Sequence, residues 1–508
     1  MAAKGVAYLK RYGVWGFLKR AYRKVVLSRP VNYEKWKKSR IASKKELAMQ
    51  KAYPFQKKIT FGIYILGDGE KKQKTLESLA KQSYDRYLVQ KDRNHTEDYL
   101  MILAAGTVLR PETLFHFAKA VEQCPEADFL YGDYDFYETD SEKTENLQCT
   151  PEFDLYYLRS RNYIGQMFVC SNLLAQDAAL FYALEQKEGI DSCLMRCAEK
   201  AEHAVRIPRL LSHQQKNKEE YKPISQENRW LDQPLLSVII PNKDCAKQLE
   251  ECVQSVITLG GYDNLEILIV ENNSEQPQTF ACYERLCQMD RRIRVMKWSN
   301  PFHYSRMNND AAAIAKGDYL LFLNNDTKVI SPGCLKELMN VGRQKDVGAV
   351  GARLYYADGT IQHAGVVLGL GGVAGHALEG MTPEQYASSP FAYAVRQVCA
   401  VTAACMLVKK ECFWQAGGFS EELRVAYNDI DLCMKMRKAG WKILYCPQAE
   451  LFHYESQTRG LEMTREKAQR LKGEQEVFCR TWRQELDAGD PFYSPNLTLE
   501  KSDFSLKR

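Results

Sequence analysis

Three apolar runs in the C-terminal half break at polar residues that could do chemistry. LLSVIIPNKD reaches Pro241 and Asp244, LEILIVENNSE reaches Glu271, and YLLFL runs into Asn324, Asn325 and Asp326. Short β-rich apolar runs ending in polar clusters read as buried strands entering loops. In open α/β sheets ligands bind at the carboxyl ends of the strands, so these side chains should share one edge. Acidic groups there can accept hydrogen bonds from a base N–H or from ribose hydroxyls. A carboxylate such as Asp326 can hold Mg²⁺ or Mn²⁺ against a diphosphate, because hard cations favour oxygen and keep positions open for phosphate. The cation would offset charge growing on a leaving nucleoside diphosphate. No glycine-rich loop follows the first two runs, which argues against a dinucleotide site.

Further along, GGFSEELRVAYNDIDLCMKMRKAGWKI places Asp429 and Asp431 ahead of an amphipathic helix. One of them can serve the helix N-terminus. The other is then available to take a proton from an acceptor hydroxyl; Asp429 is the first choice and Asp431 the fallback. In AELFHYESQTRG, His453 ends a predicted strand and could complete a metal shell, while Arg459 could meet a diphosphate.

These residues need a frame, and the chain supplies it twice. DYLMILAAGTVLRP from Asp98 matches DYLLFLNNDTKVISP from Asp318. ESLAKQSYDRY matches QSVITLGGYDNLE upstream, and IPRLLSH, ending at His213, matches CPQAELFH, ending at His453, downstream. Three matches in one order predict two copies of an α/β unit. The copies are unequal: Tyr84 to Asp98 spans 14 positions, Tyr262 to Asp318 spans 56. The first copy should therefore lack the strand corresponding to the one that ends at Glu271. It also has Ala104, Ala105 and Gly106 where the second has Asn324, Asn325 and Asp326, so it is expected to be degenerate. Its close acidic pair, Asp133 and Asp135, reads as turn residues at a strand end.

The expected organisation is a basic helical arm over 1–57, a degenerate α/β domain over 58–222, a linker over 223–234, a catalytic α/β domain over 235–460, and a C-terminal helix and tail over 461–508. The arm concentrates charge. Residues 1–50 hold fourteen Lys/Arg against two Asp/Glu, within a chain of net charge +6. A basic arm on a mildly acidic body is not a uniformly basic nucleic-acid binder. Val14, Leu18, Tyr22 and Val25 fall on one helical face beside Lys19, Arg20, Arg23 and Lys24. That suits a helix on an anionic membrane surface, or one packed on the body. No apolar run approaches the about 18 residues that cross a bilayer, and the N-terminus lacks a secretory apolar stretch. A cytoplasmic place, peripheral on the inner membrane face, is expected. The sixteen cysteines are scattered without a C-x-x-C pair and read as reduced, buried thiols.

The second half strongly resembles glycosyltransferase family 2, which has the GT-A fold. The whole chain is similar to the bacterial tandem members of O-antigen and cell-surface polysaccharide clusters. The resemblance rests on SVIIPNKD, IVENNSE, FHYSRMNNDAAAIAKGDYLLFLNNDTKVI, GTIQHAGVVLG, VTAACMLV, GGFSEELRVAYNDIDLC, ELFHYESQTRG and DPFYSPNLT, in that order. It implies two tandem Rossmann-like domains with mixed central sheets. The Asp-X-Asp metal motif falls on Asn324 to Asp326, so metal contact rests on Asp326, with His453 as a second ligand. Pro241, Asp244, Glu271, Asn309, Asn325 and Arg459 take the nucleotide-sugar positions, and Asp429 takes that of the catalytic base. His363 and His376 are expected on the acceptor side. The implied reaction is inverting transfer from a UDP- or dTDP-sugar to a glycan or lipid-linked glycan, with Mg²⁺ or Mn²⁺. The rivals are a sugar nucleotidyltransferase, a processive synthase and a non-catalytic sugar- or nucleotide-binding scaffold. The first usually carries glycines that PNKDCAKQ lacks, and the second needs membrane spans.

Overall fold

A computed structural model describes residues 31–90, 96–137, 144–216, 232–387, 389–454 and 464–508. The helical face at Val14–Val25, most of the linker and Arg459 lie outside the described residues.

The chain is α/β, with two large mixed sheets. The first is built from β1 (Phe61–Leu66), β2 (Tyr87–Val89), β3 (Tyr99–Ala104), β4 (Val108–Leu109), β5 (Phe129–Tyr137), β6 (Thr144–Gln148), β7 (Met167–Ser171) and β8 (Ala204–Gln215). The second comprises β9 (Leu236–Asn242), β10 (Leu265–Glu271), β11 (Ile293–Lys297), β12 (Tyr319–Leu323), β13 (Thr327–Val329), β14 (Val347–Tyr355), β15 (Ile361–His363), β18 (Arg396–Gln397), β19 (Cys405–Lys409) and β20 (Lys442–His453). A hairpin of β16 (Val366–Leu368) and β17 (Ala374–His376) stands apart.

The strand orders show the duplication. The first sheet runs β2-β1-β3-β7-β5-β8-β4; the second runs β11-β10-β9-β12-β19-β14-β20-β13. Removing β11 superimposes one order on the other, and β6 on β5 corresponds to β15 on β14. This corrects one expectation. The strand matching β10 is present as the short β2, parallel to β1 at Phe61↔Tyr87. The shorter spacing removes β11 and the helices Pro277–Met289 and Tyr304–Ile314 instead.

Strand register corrects a second point. Tyr99 and Tyr319 are equivalent, each opening a strand parallel to the first strand of its sheet. Counting on, Val108 corresponds to Lys328. Val108 pairs with His213, but Lys328 pairs with Phe452. Gln214, not His213, therefore occupies the place of His453, and on a strand one residue is a change of face. Asp133 and Asp135 are also not turn residues; they lie inside β5, fully buried. Burial pushes the Asp133 carboxyl up to about 6 although Thr150 and Asn496 donate to it. Asp135 accepts from the Tyr33 hydroxyl at 2.5 Å and lies 2.5 Å from His213 Nδ1.

In the second sheet, alternation sorts the strand residues between two cores. Val238 and Ile240 join Leu249, Cys252, Val253 and Val256 of the helix Ala246–Leu259 on one face. Ile239 joins Met307 and Ala311 of Tyr304–Ile314, and Leu432 and Met436 of Asn428–Lys438, on the other. All sixteen cysteines are free thiols, most of them buried.

The termini fasten the halves. Helices Tyr33–Lys38 and Lys44–Lys51 open with side-chain caps from Asn32 and Ser43. Trp36 is buried and donates to the Lys507 carbonyl. The tail after the helices Arg465–Thr481 and Arg483–Ala488 touches both domains. Pro491 accepts from Glu152 N and Asn496 donates to Asp133, while Asp490 accepts from Leu368 N and Leu499 from Gly371 N. Between the sheets, the Tyr156 hydroxyl donates to Asp346 at 2.5 Å.

Asp154 is a heavily bonded tie between the domains. It is buried, caps Leu155–Ser160 through Tyr156 N and Tyr157 N, and accepts from Gln397 N at 2.6 Å across the domain boundary. Asp154→Ala would strand three amides, a loss of about 2–4 kcal/mol. Urea denaturation should show it as a lower midpoint; a midpoint equal to that of the unsubstituted chain would mean that the boundary is held elsewhere.

Candidate active site

The carboxyl ends of β9, β10, β12, β14 and β20 lie on one edge of the second sheet, with the start of β19 among them, because β19 is antiparallel to β12 and β14. Beyond β12, Asp326 is buried, and its carbonyl accepts from Tyr454 N at 2.9 Å. Thr327 pairs with His453 in the β13–β20 ladder. This brings His453 Nε2 to 3.3 Å from Asp326 Oδ1. Asn324 Nδ2 lies 3.1 Å from the same Nε2, and Gln362 Oε1 lies 2.7 Å from Nδ1.

That donor pair fits a hard cation. Adjacent ligands on an octahedral ion with bonds of about 2.1 Å stand about 3 Å apart, close to the separation found. Among the described residues no group of three or more His, Cys, Asp or Glu could hold a metal. A cation bound by two protein groups takes its other ligands from water and from phosphate, as Mg²⁺ commonly does.

The adjoining wall is a clasp of polar side chains. Asp244 and Cys245 both adopt left-handed backbone, at φ 53 and 58, which reverses the chain directly after β9. Asp244 Oδ1 accepts from Glu275 N and Gln276 N, and Asp244 N donates to Ser274 Oγ. Glu271 accepts from Ser274 N and Oγ, both at 2.6 Å, and from the Tyr283 hydroxyl. Both carboxylates thus brace the loop after β10 as well as facing the edge. Pro241 sits inside β9 opposite Val270. Asn325 Nδ2 donates to Asn242 Oδ1 at 2.6 Å, tying the end of β12 to that of β9. Asn242 also donates to the Asp244 carbonyl and the Tyr283 hydroxyl. Sequence reasoning passed over Asn242 and Tyr283; the position of Asn242 beside Asp244, at the end of an apolar run, was the available signal for the first.

Across the edge, Tyr427 takes left-handed backbone at φ 62 and starts the helix Asn428–Lys438 without a side-chain cap. Asp429 is half-buried. Its Oδ2 accepts from Ala403 N at 3.1 Å and its Oδ1 from Ile430 N at 2.9 Å. The next residue, Ala404, accepts from Asn324 N at 3.0 Å. One short stretch before β19 therefore connects the Asp429 carboxylate to the segment bearing Asp326. Asp431 is not an alternative base: it is buried and accepts from Ser420 Oγ, Lys435 Nζ and Trp482 Nε1.

Two other sequence assignments take different roles. Asn309 donates to the Phe419 carbonyl and accepts from Phe419 N, so both ends of its amide pin the loop before Asp429 rather than face a nucleotide. His363 is fully buried and cannot line an acceptor surface. Its Nδ1 lies 2.6 Å from Nδ1 of the half-buried His376, and burial holds its pKa well below the ordinary imidazole value. Two sizeable cavities lie away from this edge, one beside the C-terminal tail and one between the domains near Arg161 and Phe391.

Residues 237–372 match the family model described as Glycosyl transferase family 2. The chain is 33% identical over 455 residues to uncharacterized protein y4gI of Sinorhizobium fredii, covering 80% of this chain and 49% of that protein. It is 31% identical over 449 residues to the O-antigen biosynthesis protein RfbC of Myxococcus xanthus, covering 81% and 34%. An N-acetylglucosaminyl-diphospho-decaprenol L-rhamnosyltransferase of Mycobacterium tuberculosis is 29% identical over 167 residues, covering 30% and 52%. The chain thus spans half or less of the length of the Sinorhizobium and Myxococcus relatives. Mannosyltransferase PcManGT from Pyrobaculum calidifontis, in complex with GDP-Man and Mn²⁺, aligns with a TM-score of 0.38 at 17% identity over 51% of this chain and 69% of that one, a likeness too slight to carry weight. Through residues 237–372, within the sheet whose strand ends gather Asp244, Glu271, Asp326 and His453, the chain belongs to glycosyl transferase family 2.

Proposed function

We propose that this chain is an inverting, metal-dependent glycosyltransferase. It moves a sugar from a nucleotide-sugar donor, UDP- or dTDP-linked, to a glycan or lipid-linked glycan during surface-polysaccharide assembly. The observation that carries the reading is the Asp326–His453 pair, joined through Asn324 and Ala404 to the stretch that holds Asp429. The family match supports glycosyl transfer. The names of the Myxococcus and Mycobacterium relatives support a polysaccharide setting and, for the second, a deoxyhexosyl donor.

In this reading Asp244, Glu271 and Asn325, together with Asn242, shape the wall on which the nucleoside rests. Asp326 and His453 would hold Mg²⁺ or Mn²⁺, whose positive charge would offset that of a leaving diphosphate. Asp429 receives the acceptor hydroxyl proton as that oxygen attacks the anomeric carbon from the face opposite the diphosphate, which inverts the centre. Arg459 contributes positive charge to the diphosphate. The first domain does no chemistry, because Gly106 and Gln214 replace the two metal ligands and offer a cation neither carboxylate nor imidazole. Residues 1–50 bring the enzyme to the anionic inner face of the plasma membrane, where a lipid-linked acceptor would be found.

Three measurements test this reading. Asp326→Ala should remove the gain in nucleoside diphosphate affinity that Mn²⁺ confers, by about 10²-fold or more; calorimetric titration with and without the metal reads it, and an intact gain refutes the ligand assignment. Asp429→Asn should keep donor affinity while turnover falls about 10²–10⁴-fold; near-normal transfer would reduce Asp429 to a loop anchor. In flotation with anionic liposomes the full chain should rise with the lipid, and a chain lacking residues 1–30 should stay behind; equal recovery counts against the membrane role.

A further inference from the structure

Gln362 belongs to neither the metal pair nor the base, yet its side chain is committed to His453. It lies on β15, is buried, and sits between two residues that hold β15 to β14, through Leu354↔His363 and Tyr355↔Ile361. Its Oε1 is 2.7 Å from His453 Nδ1, and its Nε2 donates to the His453 carbonyl at 3.4 Å. The second bond fixes which way the amide faces. An amide oxygen can only accept, so Nδ1 carries a proton. In the neutral ring Nε2 then keeps its lone pair, 3.3 Å from Asp326 Oδ1. Asn324 Nδ2, 3.1 Å away, can donate to an Nε2 in that state alone.

The alternative tautomer has a clear consequence. A proton on Nε2 would point at Asp326 and close a histidine–carboxylate hydrogen bond. The two groups would then satisfy each other, and neither would be available to a cation.

The degenerate first domain supplies an internal comparison. By register, Tyr134 corresponds to Leu354, and these pair with Gln148 and His363 respectively. Leu147 therefore stands where Gln362 stands. Gly106 replaces Asp326 and Gln214 replaces His453. The whole chain of contacts is absent there, including the residue that would touch no metal itself.

We propose that Gln362 is a positioning residue that sets the His453 tautomer, keeping Nε2 unprotonated so that a divalent cation shared with Asp326 can take its lone pair in place of the Asn324 amide. This inference rests on the reading of Asp326 and His453 as a metal pair. Histidine ligands generally need such a partner on their other nitrogen, and removing it typically lowers metal affinity about 10–100-fold.

The test uses the full chain and Mn²⁺ titrated in the presence of UDP, with bound and free metal separated by electron paramagnetic resonance. Gln362→Leu should weaken Mn²⁺ binding about 10–100-fold. Gln362→Glu, whose carboxylate also accepts from Nδ1–H, should restore affinity to within about threefold of the unsubstituted chain. A second reading does not depend on metal. In the ¹⁵N-histidine-labelled protein, His453 should be Nδ1-protonated in the unsubstituted chain and in Gln362→Glu, and should lose that fixed tautomer in Gln362→Leu. If Gln362→Leu does not fold by circular dichroism, Gln362→Met, of matching length and without an oxygen acceptor, takes both readings. Unweakened Mn²⁺ binding or an unchanged tautomer in the apolar variant overturns the positioning role while the metal pair stands. If the unsubstituted chain binds no Mn²⁺ with UDP, the metal reading fails, and this inference fails with it.

Discussion

The register of β12 between parallel β9 and antiparallel β19 is the constraint on which the site depends. β9 sets Tyr319 opposite Leu236, and β19 sets Leu323 opposite Cys405. With both partners fixed, the chain leaves the sheet at Asn324, and the next residues can only fall on the edge where β9, β10 and β20 also end. A slip by one residue would turn Leu321 and Leu323 into the core that holds Phe322, and Phe322 into theirs. Each of these residues is buried in its own cluster, so apolar packing enforces the register that places Asp326. Hydrophobic burial on two faces, with no charge involved, thus locates the charged chemistry.

The duplicated domain shows how little of that frame the chemistry itself requires. The first sheet preserves the strand order, the reversed central strand and the parallel outer pair. Among the described residues it lacks the edge carboxylate and imidazole, the β11 region, and counterparts of β18 and of the β16–β17 hairpin. Its buried acids have become fasteners: Asp133 holds Thr150 and the tail, Asp135 holds Tyr33 and His213, and Asp154 reaches across to Gln397. Buried carboxylates are tolerable only when donors surround them. In this chain each of these acids takes at least one donor from the other domain, the N-terminal helices or the tail, so satisfying them also joins the parts.

Within the second domain the same residue type serves opposite purposes. Asp429 and Asp431 are two positions apart on one helix. Asp431 is closed off by a serine, a lysine and a tryptophan. Asp429 accepts, among the described residues, backbone amides and stays half-buried. Donor supply separates the two roles. Tryptophan and ammonium donors neutralise and enclose one carboxylate, while amides on one flank orient the other and leave its remaining lone pairs accessible.

Much of this was legible in the sequence, because strands and their ends are written locally. Alternating and continuous apolar runs announced the α/β class, the repeat announced two domains, and polar residues directly after the runs marked the edge with Asp244, Glu271 and Asp326. The rest depends on pairing between distant strands, which local pattern does not encode. Matching IPRLLSH to CPQAELFH aligned His213 with His453, and only the ladders show that Gln214 takes that place. The spacing implied a missing strand but could not show that three residues, Tyr87–Val89, suffice to keep β2 in the sheet. Asn309, read as a ligand contact, clasps a loop 110 residues away. Gln362 meets His453 across 91 residues. Sequence determines which residues can bond; which donor reaches which acceptor is decided when burial fixes the registers, and that is a property of the tertiary structure alone.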